Sequence, residues 1–179
     1  MLSLVLGGAR SGKSRFAQSL CFKYQRVAFV ATARAVDEEM RRRIDHHRES
    51  RPAHWQTIEE PLALSGAITN ALASADVILI DCLTLWLSNL MWEHRDWTPE
   101  QIEKCASSEI EQLARLSAGR DVIVVSNEVG SALVPETEVG RQFRDLQGLI
   151  NQDCAARADR VFLMVAGIAI PIKPRPEVL

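Results

Sequence analysis

Near its start the chain carries Gly7-Gly8-Ala9-Arg10-Ser11-Gly12-Lys13-Ser14, directly after the apolar run Leu4-Val5-Leu6 and directly before a stretch with helical spacing. A G-x-x-x-x-G-K-S loop between a strand and a helix constrains the fold more than any other feature of the sequence. Its glycines let the backbone curl until successive N–H groups face one anionic group. The helix N-terminus adds partial positive charge at the same point. Lys13 is placed to reach terminal phosphates, and the Ser14 hydroxyl can ligand Mg²⁺ bridging phosphate oxygens. A chain built around this loop is expected to bind a nucleoside triphosphate on an α/β sheet.

The remaining strands are legible from hydropathy. Leu2–Leu6, Val27–Ala31, Val77–Ile80, Val122–Val125 and Val161–Val165 are nearly continuous apolar runs rather than alternating ones. That pattern suits strands buried on both faces of a parallel sheet. A further run from Ile168 to Ile172 reads as one more strand, antiparallel at an edge, with Pro171 and Pro174 expected to stop regular structure. Helical spacing lies between the strands: Lys13 to about Phe22, Asp37 to about Arg48, Pro61 to Ala73, Leu83 to about Glu93, and Glu136 to about Ala158. Thr98-Pro99-Glu100-Gln101 has the form of a capping box and starts a helix reaching about Ser117. The reading is a single α/β domain over residues 1–179, a P-loop NTPase with a mostly parallel central sheet and helices on both faces. In such sheets the ligand sits beyond the carboxyl ends of the strands.

Composition narrows the class. A net charge of −2 gives no general nucleic-acid or membrane surface. No apolar run approaches the roughly 20 residues that span a bilayer. The chain opens on strand and phosphate loop, so no signal peptide is expected. Cys21, Cys82, Cys105 and Cys154 are scattered without a C-x-x-C pair, which fits a reducing cytoplasm rather than a metal or disulfide framework.

Two further places carry chemistry. Asp81 closes the run Val77-Ile78-Leu79-Ile80, the pattern of a carboxylate that helps hold Mg²⁺ below a phosphate loop; a turn or capping aspartate is the plain alternative. The segment Met40-Arg41-Arg42-Arg43-Ile44-Asp45-His46-His47-Arg48 places two histidines side by side on a basic helix. Met40, Ile44 and His47 share one stripe, expected to face the protein. His46 points the other way, one turn after Arg42 and Arg43, on a face suited to a triphosphate. The alternative is a solvated basic face with an incidental histidine.

Taken together, several stretches resemble one family. They are GGARSGKSRFA (7–17), ATA (31–33), DEEMRRRIDHHRESRPAHWQTIEEP (37–61), LIDCLTLWLSNL (79–90), SNEVGSALVPE (126–136), GRQFRDLQGLINQ (140–152) and VAGI (165–168). They span nearly the whole chain in order, and H-H-x-x-x-R-P-x-x-W and N-E-V-G-x-x-x-V-P-E are far more specific than the loop alone. The resemblance is to the bifunctional adenosylcobinamide kinase / adenosylcobinamide-phosphate guanylyltransferases of cobalamin synthesis. It implies a RecA-like sheet, a homotrimer, Mg²⁺, and GTP and ATP as substrates alongside a corrinoid. It implies that His46 is guanylylated by GTP with release of pyrophosphate. The phosphate of adenosylcobinamide phosphate then takes the GMP, giving adenosylcobinamide-GDP. An earlier reaction phosphorylates adenosylcobinamide with ATP or GTP. By position, Gly7 through Ser14 match the phosphate site, and Ala31, Thr32, Ala33, His47, Arg48, Glu49, Ser50, Glu59 and Asp81 match positions lining the guanine nucleotide site.

The residues alone leave other readings open. Asn127-Glu128-Val129-Gly130 ends a strand on the ligand side, to touch an acceptor, position a nucleophile or simply turn the chain. Arg10 and Arg15 flank the loop, for phosphate or for solvent. His54 and Trp55 lie near the base or close a small core. Trp86, Trp92 and Trp97 suit packing or subunit contact more than ligand stacking, and His94 is expected in an exposed polar break. A small-molecule kinase with no covalent intermediate, and a GTP-driven switch, are the competing functions. The N-K-x-D type guanine signature of such switches is absent.

Overall fold

The computed structural model describes residues 1–49 and 51–174. Seven strands form one sheet: β1 (Leu2–Gly7), β2 (Val27–Ala31), β3 (Gln56–Glu59), β4 (Val77–Asp81), β5 (Asp121–Asn127), β6 (Arg160–Val165) and β7 (Ile168–Lys173). Their order is β3-β2-β4-β5-β1-β6-β7. The first six run parallel and β7 returns antiparallel to β6 at the edge.

The continuous apolar runs work as expected, because successive residues feed opposite faces. Leu2, Leu4, Val30, Ile78, Ile80, Val122 and Val124 enter one core, and Val5, Phe29, Leu79, Ile123 and Val125 enter the other. The first core is covered by α3 (Leu64–Ala71), α4 (Leu83–Glu93), α5 (Pro99–Leu116) and α6 (Glu138–Arg157). The second is covered by α1 (Lys13–Cys21), through Ala17 and Cys21, and by Trp55. The remaining helix, α2 (Glu38–Glu49), buries none of its residues.

Local chemistry sets the element ends. The capping box at α5 is complete: the Gln101 N–H donates to the Thr98 hydroxyl and the Thr98 N–H to the Gln101 side-chain carbonyl oxygen. Helix α3 begins at Leu64 rather than Pro61, because Glu60 accepts from the N–H groups of Leu62 and Ala63 and holds that stretch as a turn. Pro171 does not stop β7, which runs on to Lys173. It sits on the sheet's edge strand, and the ladder shifts register between Val161 and Phe162 opposite it. Among the described residues no helix is long and apolar enough to cross a membrane.

Candidate functional site

The phosphate loop joins β1 to α1. Arg10 (φ 57°) and Gly12 (φ 91°) take left-handed backbone, and Gly12 caps the helix with no side chain in the way. Gly7 is required by contact as well: a Cβ there would lie 2.4 Å from the Ser11 hydroxyl oxygen. The turn between β6 and β7 braces the loop from outside, Gly167 N–H donating to the Ser11 carbonyl at 3.0 Å. The Ser11 hydroxyl itself is buried without a partner among the described residues.

Beyond the loop lies a pocket of about 390 Å³. One wall is the sheet's carboxyl end: Lys13, Ser14, Phe29, Ala31, Ala33, Asp81, Cys82 and Asn127. The facing wall is α2 together with the chain leading into and along β3: Met40, Arg43, Ile44, His47, Arg48, Arg51 and Glu59. Lys13 donates to the Gly8 carbonyl at 3.1 Å. Burial lowers its pKa, an effect the Asp81 charge opposes. Burial raises the Asp81 carboxyl above its ordinary value, against the hydrogen bond from Ser14 and the charges of His47, Lys13 and Arg51. The Ser14 hydroxyl and the Asp81 carboxylate are thus adjacent, two hard oxygen donors of the kind Mg²⁺ takes beside phosphates. Cys82 remains a thiol, pushed to about 11 by burial.

All but one of the sequence-picked residues can be placed. Lys13, Ser14, Ala31, Ala33, His47, Arg48, Glu59 and Asp81 all line the pocket. Gly7 through Gly12 form the adjoining loop, with Gly8, Ala9 and Arg10 exposed. Thr32 does not face the pocket. It is fully buried, and its hydroxyl donates to the Cys82 carbonyl and accepts from the Cys82 N–H, both at 2.8 Å. Its role is to tie the end of β2 to the residue after Asp81. Ser50 lies outside the described residues. His46 and Glu49 are exposed and do not line the pocket. The stripe Met40, Ile44 and His47 does face inward, so the structure turns His47 toward the site and leaves His46 on the outer face, the two rings 6.5 Å apart.

Arg51 is a pocket residue that sequence reasoning misses. It is half-buried, sits 3.9 Å over the Phe29 ring, and donates to the His47 carbonyl at 3.0 Å. Burial lowers its pKa while Asp81 and Glu59 support its charge. The available signal is its position as the arginine of H-H-x-x-x-R-P, just beyond the end of α2. Of the other residues weighed, Arg10, Arg15 and His54 are exposed, Trp55 is in the core, and Trp86 is fully buried with its indole N–H on the Leu62 carbonyl. Trp92 and Trp97 are exposed, and His94 is half-buried, stacked on Trp97 at 3.7 Å.

The chain matches known proteins over nearly its whole length. The family model described as cobinamide kinase / cobinamide phosphate guanyltransferase matches residues 3–172. The bifunctional adenosylcobalamin biosynthesis protein CobU of Salmonella typhimurium is 42% identical, covering 97% of this chain and all of that relative. CobU of Escherichia coli is 39% identical over the same shares, and CobP of Pseudomonas aeruginosa is 44% identical over 98% of this chain and 99% of its own length.

Proposed function

The chain belongs to the cobinamide kinase / cobinamide phosphate guanyltransferase family, and we propose from that premise that one pocket serves both activities in cobalamin biosynthesis. It is a kinase acting on cobinamide and a guanylyltransferase acting on cobinamide phosphate. The observation that carries the shared site is the facing of two walls: Lys13, Ser14 and Asp81 at the phosphate end, and a histidine-bearing basic helix across about 390 Å³ of space. ATP or GTP donates a phosphoryl group to cobinamide. GTP alone donates GMP, first to a histidine, with pyrophosphate leaving, and then to the phosphate of cobinamide phosphate. A phosphoramidate on imidazole splits one difficult displacement into two easier ones. Lys13 and the α2 arginines offset charge on the transferring group. Ser14 and Asp81 would hold Mg²⁺, which neutralises phosphate charge when bound.

His46 is the proposed nucleophile, from its match to the first histidine of the family's pair. Because no residue of α2 is fully buried and only Met40 and Ile44 are half-buried, turning it by about 100°, one residue's rotation, exchanges His47 for His46 without breaking a core. A second reading has support of its own: His47 already lines the pocket and its charge acts on Asp81. Incubation with Mg²⁺ and α-phosphate-labelled GTP, followed by denaturation, separates the two. Acid-labile, base-stable label lost in His46→Ala and kept in His47→Ala is expected. The reverse moves the role to His47. No label on folded wild-type protein removes the covalent route and leaves a plain kinase. A homotrimer, with exposed Trp92 and Trp97 available for burial between subunits, is the proposed assembly; native mass tests it.

A further inference from the structure

Asn127 is the last residue of β5, the strand lying between the phosphate-loop strand and the Asp81 strand. Its register partner on β1 is Gly7, and the partner of Asp81 on β5 is Val125. Asn127 therefore stands two residues beyond the level of Asp81, toward the ligand. Side chains alternate along a strand. Val125 enters the α1-side core while Ser126 bonds to α6, so the Asn127 carboxamide shares the α1 face with Lys13 and Ser14, and all three line the pocket.

Its backbone is fixed from both sides. The Asn127 N–H donates to the Thr84 hydroxyl at 2.8 Å, and its carbonyl accepts from the Asn151 amide at 3.0 Å. Asn151 is held by a buried group: Ser126 donates to its Oδ1 at 2.6 Å and Gln147 to the same atom at 2.9 Å. Gln147 also donates to the Ser126 hydroxyl at 3.0 Å. A buried polar network costs stability unless it is satisfied, and it rigidifies what it holds. Here four side chains from three elements, Thr84 of α4, Ser126 of β5, and Gln147 and Asn151 of α6, hold one residue whose own carboxamide has no hydrogen bond among the described residues; of the network's polar atoms, the Gln147 Oε1 is buried without a partner among them.

We propose that the Asn127 amide donates to a non-bridging oxygen of the γ-phosphoryl group during cobinamide phosphorylation. The proposal rests on the kinase half of the reading above. In that step the acceptor hydroxyl oxygen bonds to the γ-phosphorus, the bond from γ-phosphorus to the bridging oxygen breaks, and the nucleoside diphosphate leaves. The hydroxyl proton goes to solvent, and Asn127 takes no part in its transfer. A preplaced donor aimed at developing charge adds to the pull of Lys13 without reorganising. Asn151, Ser126 and Gln147 are positioning residues. On the reading above, guanylylation brings the α-phosphate to a histidine of α2 rather than to Asn127, so the two reactions should depend on Asn127 to different degrees.

The test compares wild type with Asn127→Ala and Asn127→Asp in two assays, phosphorylation of cobinamide by ATP and protein labelling by α-labelled GTP. Asn127→Ala is expected to lower phosphorylation kcat by about 10²-fold. Labelling falls by less than about tenfold, and the KM for ATP moves little. Asn127→Asp falls further in phosphorylation, since a carboxylate repels the phosphoryl group. Asn151→Ala, which frees the Asn127 carbonyl, gives a smaller loss with the same split between assays. If Asn127→Ala does not fold, Asn127→Ser carries the comparison. Phosphorylation within about threefold of wild type, or equal losses in both assays, overturns the proposal. Wild-type protein that takes label but does not phosphorylate cobinamide overturns it too and leaves the transferase half standing. Wild-type protein that phosphorylates without taking label breaks only the histidine route.

Discussion

The two walls of the nucleotide pocket are built in opposite ways. The sheet-end wall is made of strand termini backed by fully buried residues such as Val5, Leu79 and Val125. Its polar groups are tied: Lys13 to Gly8, Ser14 to Asp81, Thr32 twice to Cys82, and Asn127 from both neighbouring helices. The α2 wall buries no residue, and its ion pair Arg43–Glu39 leaves both partners more than half exposed. Fixed dipoles aimed at phosphate lower a barrier only if they do not move. Elements that must move are drawn from the least buried parts of a fold. The contrast assigns phosphate stabilisation to the first wall and exchange of reacting groups to the second.

The largest effect that would sharpen this comparison comes from Lys13. If the fixed wall serves both reactions, Lys13→Ala lowers phosphorylation and GMP labelling alike, each by about 10³-fold, near 4 kcal/mol of transition-state stabilisation. Retained labelling would mean that guanylylation uses the α2 wall alone. Next comes Thr32→Val, which keeps shape but strands the buried N–H and C=O of Cys82. A loss of about 2 kcal/mol is expected, read as a Tm lower by about 4–8 °C. An unchanged Tm would show that the sheet-end wall is less fixed than its hydrogen bonds imply.

The same contrast explains which parts of the molecule are legible in the sequence. Strands β1, β2, β4 and β5 are buried on both faces, where hydropathy has no room to vary, whereas β6 is only partly buried and β7 mostly exposed, and both are legible from their apolar runs alone. Strand β3, Gln56–Glu59, escapes such a reading because it is short, at an edge and mostly exposed, so its pattern carries no burial signal. Pro171 misleads for a related reason: proline ends an interior strand but is tolerated at an edge. At the site, the phosphate loop and Asp81 are legible because spacing and a preceding strand define them. Thr32 is marked by family position, yet its side chain serves the backbone, a distinction that only tertiary contact reveals. Arg51 lies just past the helix end, and Phe29, which it covers, is more than twenty residues earlier on β2, so no local period joins them. Helical spacing correctly splits the two histidines onto different faces, but it does not say which face meets the pocket.

A smaller effect should come from Asp81. Its folded carboxyl titrates above the ordinary value because burial penalises the charge. The native state therefore holds this proton to higher pH than the unfolded chain does. Stability tied to the group is fully present below the unfolded pKa, near 3.9, and is lost as pH rises through the folded one. Asp81→Asn removes that penalty, so its Tm should exceed wild type by a few degrees at pH 7. The gap should close as pH is taken below about 4, while both activities are lost. A lower Tm at pH 7 would mean that Lys13, Arg51 and Ser14 depend on the carboxylate for their own placement, making the wall an ion-paired structure rather than a strained one.

The smallest expected effect lies on the other wall. Exposed i,i+4 pairs contribute little, so Arg43→Ala should change Tm by under about 2 °C. An unchanged stability is informative only beside a direct measure of motion. Amide exchange supplies it, because opening free energy scales with how much packing an element must break. Helix α2 buries no residue, so its amides should exchange far faster than those of β1, β4 and β5, and GTP with Mg²⁺ should slow them. Protection of α2 equal to that of β5 in the free protein would make the two walls alike. His46 would then stay on the outer face through the reaction, and the guanylylated residue would have to be His47, the one already turned toward Asp81.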